Sequence, residues 1–191
     1  EVTYSAVLNE KAIAKIETNK AELTYSNDPT DSTKKTTTPA QEQKVYSSKI
    51  VIEKVEKVAE GTTAKKLAGA KFVLYKEVNS DGSAATKKYY KWNEENKKVE
   101  WVAKQSDATV VTTDDKGAAS FDGLANGTYY LVETKAPAGY NQLTEPHKVV
   151  VNGGSTETDL SVTAKVENQA GTLLPSTGGM GTTVFYVLGS I

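Results

Sequence analysis

The chain has 191 residues, 38% hydrophobic, 25% charged and 8% aromatic, with a formal net charge of −1 at pH 7. All 23 basic residues are lysines; with no arginine fork for phosphate and no net positive field, nucleic acid is excluded as a partner. The absence of cysteine excludes disulfides, thiolate metal sites and cysteine nucleophiles, and the single His147 excludes a paired-histidine metal site and leaves few general bases, so an ordinary hydrolase is disfavoured and no cofactor is expected.

Residues 2–8 (VTYSAVL) alternate apolar and polar from the outset, as a half-buried strand does. A chain that opens inside a strand, with no signal peptide, is expected to be cut from a longer one. A second strand is expected over 21–27 (AELTYSN), after a short polar connection compatible with a helical turn. Two strands make no stable domain in water, so residues 1–29 read as the last strands of a preceding β-domain. Residues 30–43 (TDSTKKTTTPAQEQ) hold almost no large apolar side chain and read as a linker.

From 44 to 171 strand patterns follow at 49–55, 70–75, 88–92, 99–103, 118–121, 128–133, 147–151 and 160–168. Turn signals separate them: Ser80-Asp81-Gly82, residues 93–97, Asp114-Asp115-Lys116-Gly117, Ala125-Asn126-Gly127 and Asn152-Gly153-Gly154. Many short strands with no amphipathic helix of useful length imply an all-β, Ig-like antiparallel β-sandwich. Residues 172–191 hold Leu174-Pro175-Ser176-Thr177-Gly178 and an apolar end, 184–191, shorter than the ~20 residues that span a bilayer. This end is expected to be a truncated membrane segment.

Side chains alternate faces along a strand, so each residue's phase is readable from its neighbours. Ile50, Ile52 and Lys54 share a face; so do Tyr129, Leu131 and Glu133, and Leu160, Val162, Ala164, Val166 and Asn168. In the first segment Ala21, Leu23, Tyr25 and Asn27 are in phase. Each apolar face thus ends on a polar residue. The ordinary reading places these residues at strand ends that meet solvent, where a lysine snorkels. The chemical reading starts from the cost of burying a charged lysine, several kcal/mol unless it pairs or loses its charge. A lysine held neutral is a nucleophilic amine, and a neighbouring carboxamide is an acyl donor that can release ammonia. A carboxylic acid kept neutral by an apolar site can polarise that carboxamide and shuttle protons. The product would be an amide cross-link between first and last strands.

Residues 127–140 (GTYYLVETKAPAGY) resemble the E-box of Gram-positive sortase-assembled pilins and their CnaB-type domains, and 67–75 (LAGAKFVLY) resembles the second-strand signature of those domains. Residues 174–178 (LPSTG), followed by an apolar run, are similar to the LPXTG cell-wall sorting signal. The resemblance implies a CnaB-type domain over 44–171, in the C-terminal part of a major (backbone) pilin. It implies Lys54 as the cross-linking nucleophile, Glu133 as the catalytic glutamate and Asn168 as the acyl donor. Tyr25-Ser26-Asn27-Asp28-Pro29 resembles the end of a preceding pilin domain, which implies that Asn27 forms an isopeptide bond with a partner outside this chain. Sortase would cleave between Thr177 and Gly178 and pass Thr177 to a lysine of the next subunit or to peptidoglycan. The implied location is a wall-anchored surface pilus, and the chain would not be an enzyme. The pilin-motif lysine is not assigned to these residues.

The alternative is an ancillary pilin or wall-anchored adhesin with a CnaB stalk binding a host ligand; a sortase-displayed hydrolase has no positive support. Tyr89, Tyr90, Trp92 and Trp101 form an aromatic group on an expected hairpin, read as cross-strand packing ahead of a ligand surface. Asp81, Asp114 and Asp115 are explained by turn chemistry without calcium. His147 follows a proline at a strand start and is assigned no role.

Overall fold

The structure is a computed structural model that describes residues 14–79, 84–154 and 156–171. The expected strand at 2–8, the turn at 80–82, and the LPSTG sequence with its apolar end lie outside the described residues.

Four strands come first: β1 (Ile16–Ala21), β2 (Thr24–Ser26), β3 (Lys35–Thr37) and β4 (Gln41–Tyr46). β1 pairs antiparallel with β4, and β2 with β3. Four expectations change here. The connection before residue 21 is strand, not a helical turn. The strand expected over 21–27 is broken at Glu22–Leu23, where the chain leaves one partner for another; Leu23 N–H donates to Thr38 Oγ1 at 3.0 Å and Thr38 N–H donates back to the Leu23 carbonyl at 2.9 Å. The stretch expected as a linker, 30–43, carries β3 and the start of β4. Its ladder is held by backbone pairs and by contacts such as the Thr24–Thr37 hydroxyl pair at 2.8 Å, which leave no hydrophobic pattern. The hairpin turn is built by Asp28 and Asp31, whose Oδ1 atoms accept from Thr30 N–H at 2.9 Å and Thr33 N–H at 3.0 Å. The apolar face expected on 21–27 is not covered: Leu23 is 61% and Tyr25 47% exposed.

The remaining strands are β5 (Ser48–Glu56), β6 (Lys71–Val78), β7 (Thr86–Asn93), β8 (Lys98–Val102), β9 (Val111–Thr112), β10 (Ala118–Leu124), β11 (Gly127–Lys135), β12 (His147–Val151) and β13 (Ser161–Asn168). They form two sheets, ordered β10-β5-β13 and β12-β11-β6-β7-β8, with β9 also on β6. This is the expected all-β sandwich. The short β9 escaped the sequence reading because two residues show no alternation. Between the sheets Ile50, Ile52, Phe72, Leu74, Phe121 and Leu131 make a core with almost no exposure. β6 is buried on both faces through Phe72–Tyr75; on the side away from the core, Tyr75 stacks on Tyr130 with centroids 4.9 Å apart.

Among the described strands one pairing departs from the antiparallel rule. β5 and β13, the first and last strands of the sandwich, are parallel neighbours, with Val166 opposite Lys54 and Asn168 opposite Glu56. The ends of both strands therefore lie at the same edge of the sandwich, facing the end of β11 in the other sheet.

Candidate functional site

Lys54 on β5 and Asn168 at the end of β13 come from one sheet, and Glu133 on β11 from the other. Their inward phase follows from strict alternation along each strand. All three are sealed from solvent, at 0% exposure for Lys54 and Asn168 and 2% for Glu133. In the parallel register Lys54 sits beside Val166, so its long stem runs along the diagonal toward Asn168.

Lys54 Nζ donates to Asn168 Oδ1 and lies 3.2 Å from Glu133 Oε1. Asn168 Nδ2 donates to Glu133 Oε1 at 3.0 Å and to Oε2 at 2.9 Å. The Phe72 ring centroid lies 5.6 Å from Nζ and closes the site on its apolar side. Burial pushes the Lys54 ammonium below its ordinary 10.5, while the charge and hydrogen bond of Glu133, and the charge of Glu167, pull it back up. An amine, a carboxamide and a carboxyl group thus meet with water excluded, and the carboxyl group touches both the amine nitrogen and the amide nitrogen.

The backbone holds this arrangement from several sides. Lys54 N–H donates to the Gly117 carbonyl at 2.7 Å, and Leu67 N–H donates to the Lys54 carbonyl at 2.9 Å. Gly117 has φ +70°, and a Cβ there would lie 2.4 Å from the Lys54 carbonyl oxygen. Lys57 N–H donates to the Asn168 carbonyl at 2.9 Å. Leu143 N–H donates to Glu133 Oε2 at 2.8 Å, and Gln142 Nε2 donates to the Glu133 backbone carbonyl at 2.7 Å. Of these partners sequence reasoning named only Gly117, as a turn residue, and Leu67, within the 67–75 signature; Lys57, Gln142 and Leu143 it missed. A backbone N–H carries no sequence signal.

Other candidates fall elsewhere. Asn27 is exposed; its Nδ2 donates to Thr36 Oγ1 at 2.8 Å, and it is not brought to the triad. Leu174, Pro175, Ser176, Thr177 and Gly178 lie outside the described residues. The aromatic group divides between packing roles. Tyr90 is buried and its hydroxyl donates to the Asp122 carbonyl at 3.0 Å, Trp101 stacks on Tyr129 at 5.8 Å, and Tyr89 packs on Tyr75 at 5.7 Å. Asp114 Oδ1 accepts from the N–H groups of Lys116 and Ala118, which fixes its turn. His147 is half-buried on β12; burial first, and the Lys54 charge second, hold its imidazole below 6.5.

Residues 48–168 match the family described as SpaA, prealbumin-like fold domain. The chain is 28% identical over 178 residues to the trypsin-resistant surface T6 protein of Streptococcus pyogenes serotype M6, an alignment covering 86% of this chain and 28% of that protein. The backbone protein of the group B streptococcus pilus 2b is 39% identical, with a TM-score of 0.57 over 72% of this chain and 46% of that one. The full-length major pilin RrgB of Streptococcus pneumoniae shares the fold at 22% identity, with a TM-score of 0.51 over 73% of this chain and 33% of that one. The chain spans less than half the length of each of these relatives.

Proposed function

With residues 48–168 this chain belongs to the family of SpaA prealbumin-like fold domains, and on that premise we propose that it is the C-terminal part of a major pilin, a structural module of a covalently polymerised surface fibre. The observation that carries this reading is the meeting of Lys54, Glu133 and Asn168 in a sealed interior, at the joined ends of the first and last sandwich strands. The likeness to a pilus backbone protein at 39% identity supports the same reading.

The chemistry is a single intramolecular acyl transfer. Lys54 Nζ, as the free amine, attacks Asn168 Cγ. The new Nζ–Cγ bond forms, the Cγ–Nδ2 bond breaks, and one proton of Nζ passes through Glu133 to Nδ2, which leaves as ammonia. Glu133 ends in its starting protonation state. Holding the reactants at contact distance substitutes for their poor intrinsic reactivity. Lys54 and Asn168 lie 114 positions apart in sequence, so the bond closes a long loop, worth roughly 4–5 kcal/mol by the loop-closure estimate. The chain modifies itself once and turns over no external substrate.

Polymerisation rests on the sequence LPSTG: sortase takes Thr177 as an acyl-enzyme and transfers it to an amine of a neighbouring subunit or of peptidoglycan. On this reading the protein works outside the cell, in a wall-anchored pilus. Proline at position 175 fixes φ and favours an extended peptide for docking in a groove. Residues 44–171 then act as the covalently locked domain and 172–191 as its sorting end.

Intact mass under denaturing conditions tests the cross-link. The wild type is expected one ammonia lighter than its sequence mass, and Lys54→Ala, Glu133→Ala and Asn168→Ala are each expected at full mass. A wild type at full mass would reduce the triad to a buried polar cluster.

A further inference from the structure

The segment that follows β11 ties the acid to the acyl donor. At one end, Tyr140 forms an antiparallel bridge with Ala170. Asn141 N–H donates to the Gln169 carbonyl at 2.9 Å, and Gly171 N–H donates to the Gly139 carbonyl at 2.8 Å. These bonds grip the three residues directly after Asn168. At the other end the same segment returns to Glu133, through Gln142 Nε2 to its carbonyl and Leu143 N–H to its Oε2. Gly139 permits the bend, with φ +83°.

The Leu143 bond also distinguishes the two carboxyl oxygens. Oε2 accepts from Leu143 N–H at 2.8 Å and from Asn168 Nδ2 at 2.9 Å. Oε1 accepts from Asn168 Nδ2 at 3.0 Å and lies 3.2 Å from Lys54 Nζ. Rotation about the last bond merely swaps two equivalent oxygens, but whichever oxygen accepts from Leu143 N–H is disfavoured for carrying a proton on that side, which leaves the lysine-facing position for it. Oε1 is then the oxygen that takes a proton from the amine and returns it to the departing amide nitrogen.

We propose that residues 139–143 are a positioning element for the cross-link, with Leu143 N–H fixing which oxygen of Glu133 carries the proton from Lys54 to Asn168. The inference rests on the cross-linking reading above. Leu143 acts through Glu133 and touches no reacting atom, so it is a positioning residue. The other titratable groups whose charges couple to the site are Glu167 of β13 and His147 of β12.

The test is the rate of ammonia loss in full chains made by cell-free translation, quenched in acid at intervals and weighed intact. Leu143→Pro deletes the N–H, and Leu143→Ala keeps it. Leu143→Pro is expected to slow cross-linking about tenfold, the weight of one hydrogen bond to a charged group. Leu143→Ala, which restores the N–H without the leucine side chain, should follow the wild type. Gln142→Ala, which loosens the segment without touching the backbone donor, should slow the reaction by less, and it carries the test if Leu143→Pro does not fold. A wild-type rate in Leu143→Pro would overturn the proposal, as would a rate in Leu143→Ala as slow as in Leu143→Pro, or a wild-type rate in Gln142→Ala if that variant alone folds. A wild-type chain that never loses ammonia would overturn the cross-linking reading itself, and the positioning role with it.

Discussion

The two parts of the molecule treat an ion pair in opposite ways. In the β1–β4 ladder Lys20 Nζ lies 2.6 Å from Glu42 Oε1, with 63% and 47% of the two side chains exposed. In the sandwich Lys54 Nζ lies 3.2 Å from Glu133 Oε1, with both side chains at 0%. The shorter contact is the weaker one, because water solvates both of its partners whether or not they meet. The longer contact has no such alternative: Lys54 depends on Glu133 and Asn168 for its polar partners, and Glu133 on Lys54, Asn168 and the Leu143 N–H. Burial, rather than distance, decides which pair the fold requires and which can do chemistry.

Glu133→Ala tests this contrast with the largest expected effect. It leaves the Lys54 ammonium in a sealed site without its carboxylate, at a cost of about 3–5 kcal/mol, and it removes the cross-link as well. Denaturant unfolding should show a large fall in midpoint. Lys20→Ala, which breaks the shorter pair, should leave the midpoint where it was. Similar losses in both variants would break the comparison.

A glycine pair sharpens the contrast at the level of the backbone. Gly61 and Gly117 both have positive φ, +82° and +70°, but a Cβ at Gly61 meets nothing within 4 Å while one at Gly117 runs into the Lys54 carbonyl. Alanine at either position is expected to destabilise by about 1–2 kcal/mol from the left-handed backbone alone. Only Gly117→Ala should cost more than that, and only it should lower the fraction of chains that lose ammonia, because the Lys54 strand must shift to admit the methyl group. Equal stability losses and equal cross-linking would show that the close approach at Gly117 does not hold Lys54 in place.

The same contrast explains what could be read from the sequence. β5, β11 and β13 are amphipathic, so the alternation that places Ile52, Leu131 and Val166 inside continues to Lys54, Glu133 and Asn168. β3 pairs with β2 through backbone and a threonine hydroxyl contact, and β4 with β1 through backbone, with nothing buried; a polar ladder has the composition of a linker. The parallel β5–β13 pairing was equally hidden: alternation gives each strand's face but not the direction of its neighbour. The 139–143 segment escaped for a third reason. Its decisive contact is a main-chain N–H, which every residue but proline supplies.

His147 gives the smallest effect and tests how far the sealed charge reaches. Burial is the first cause that holds its imidazole below 6.5, and the Lys54 charge is the second. Because the folded value is the lower one, the unfolded chain takes up the proton first as pH falls. The stability present above 6.5 is therefore lost progressively down to the folded value. Converting Lys54 to an amide removes the second cause and leaves the first. Proton NMR titration should then find His147 higher in cross-linked wild type than in Asn168→Ala, which keeps the lysine ammonium, with both below 6.5. Identical midpoints in the two proteins would mean that burial alone sets the imidazole, and that the charge of Lys54 is screened within the triad.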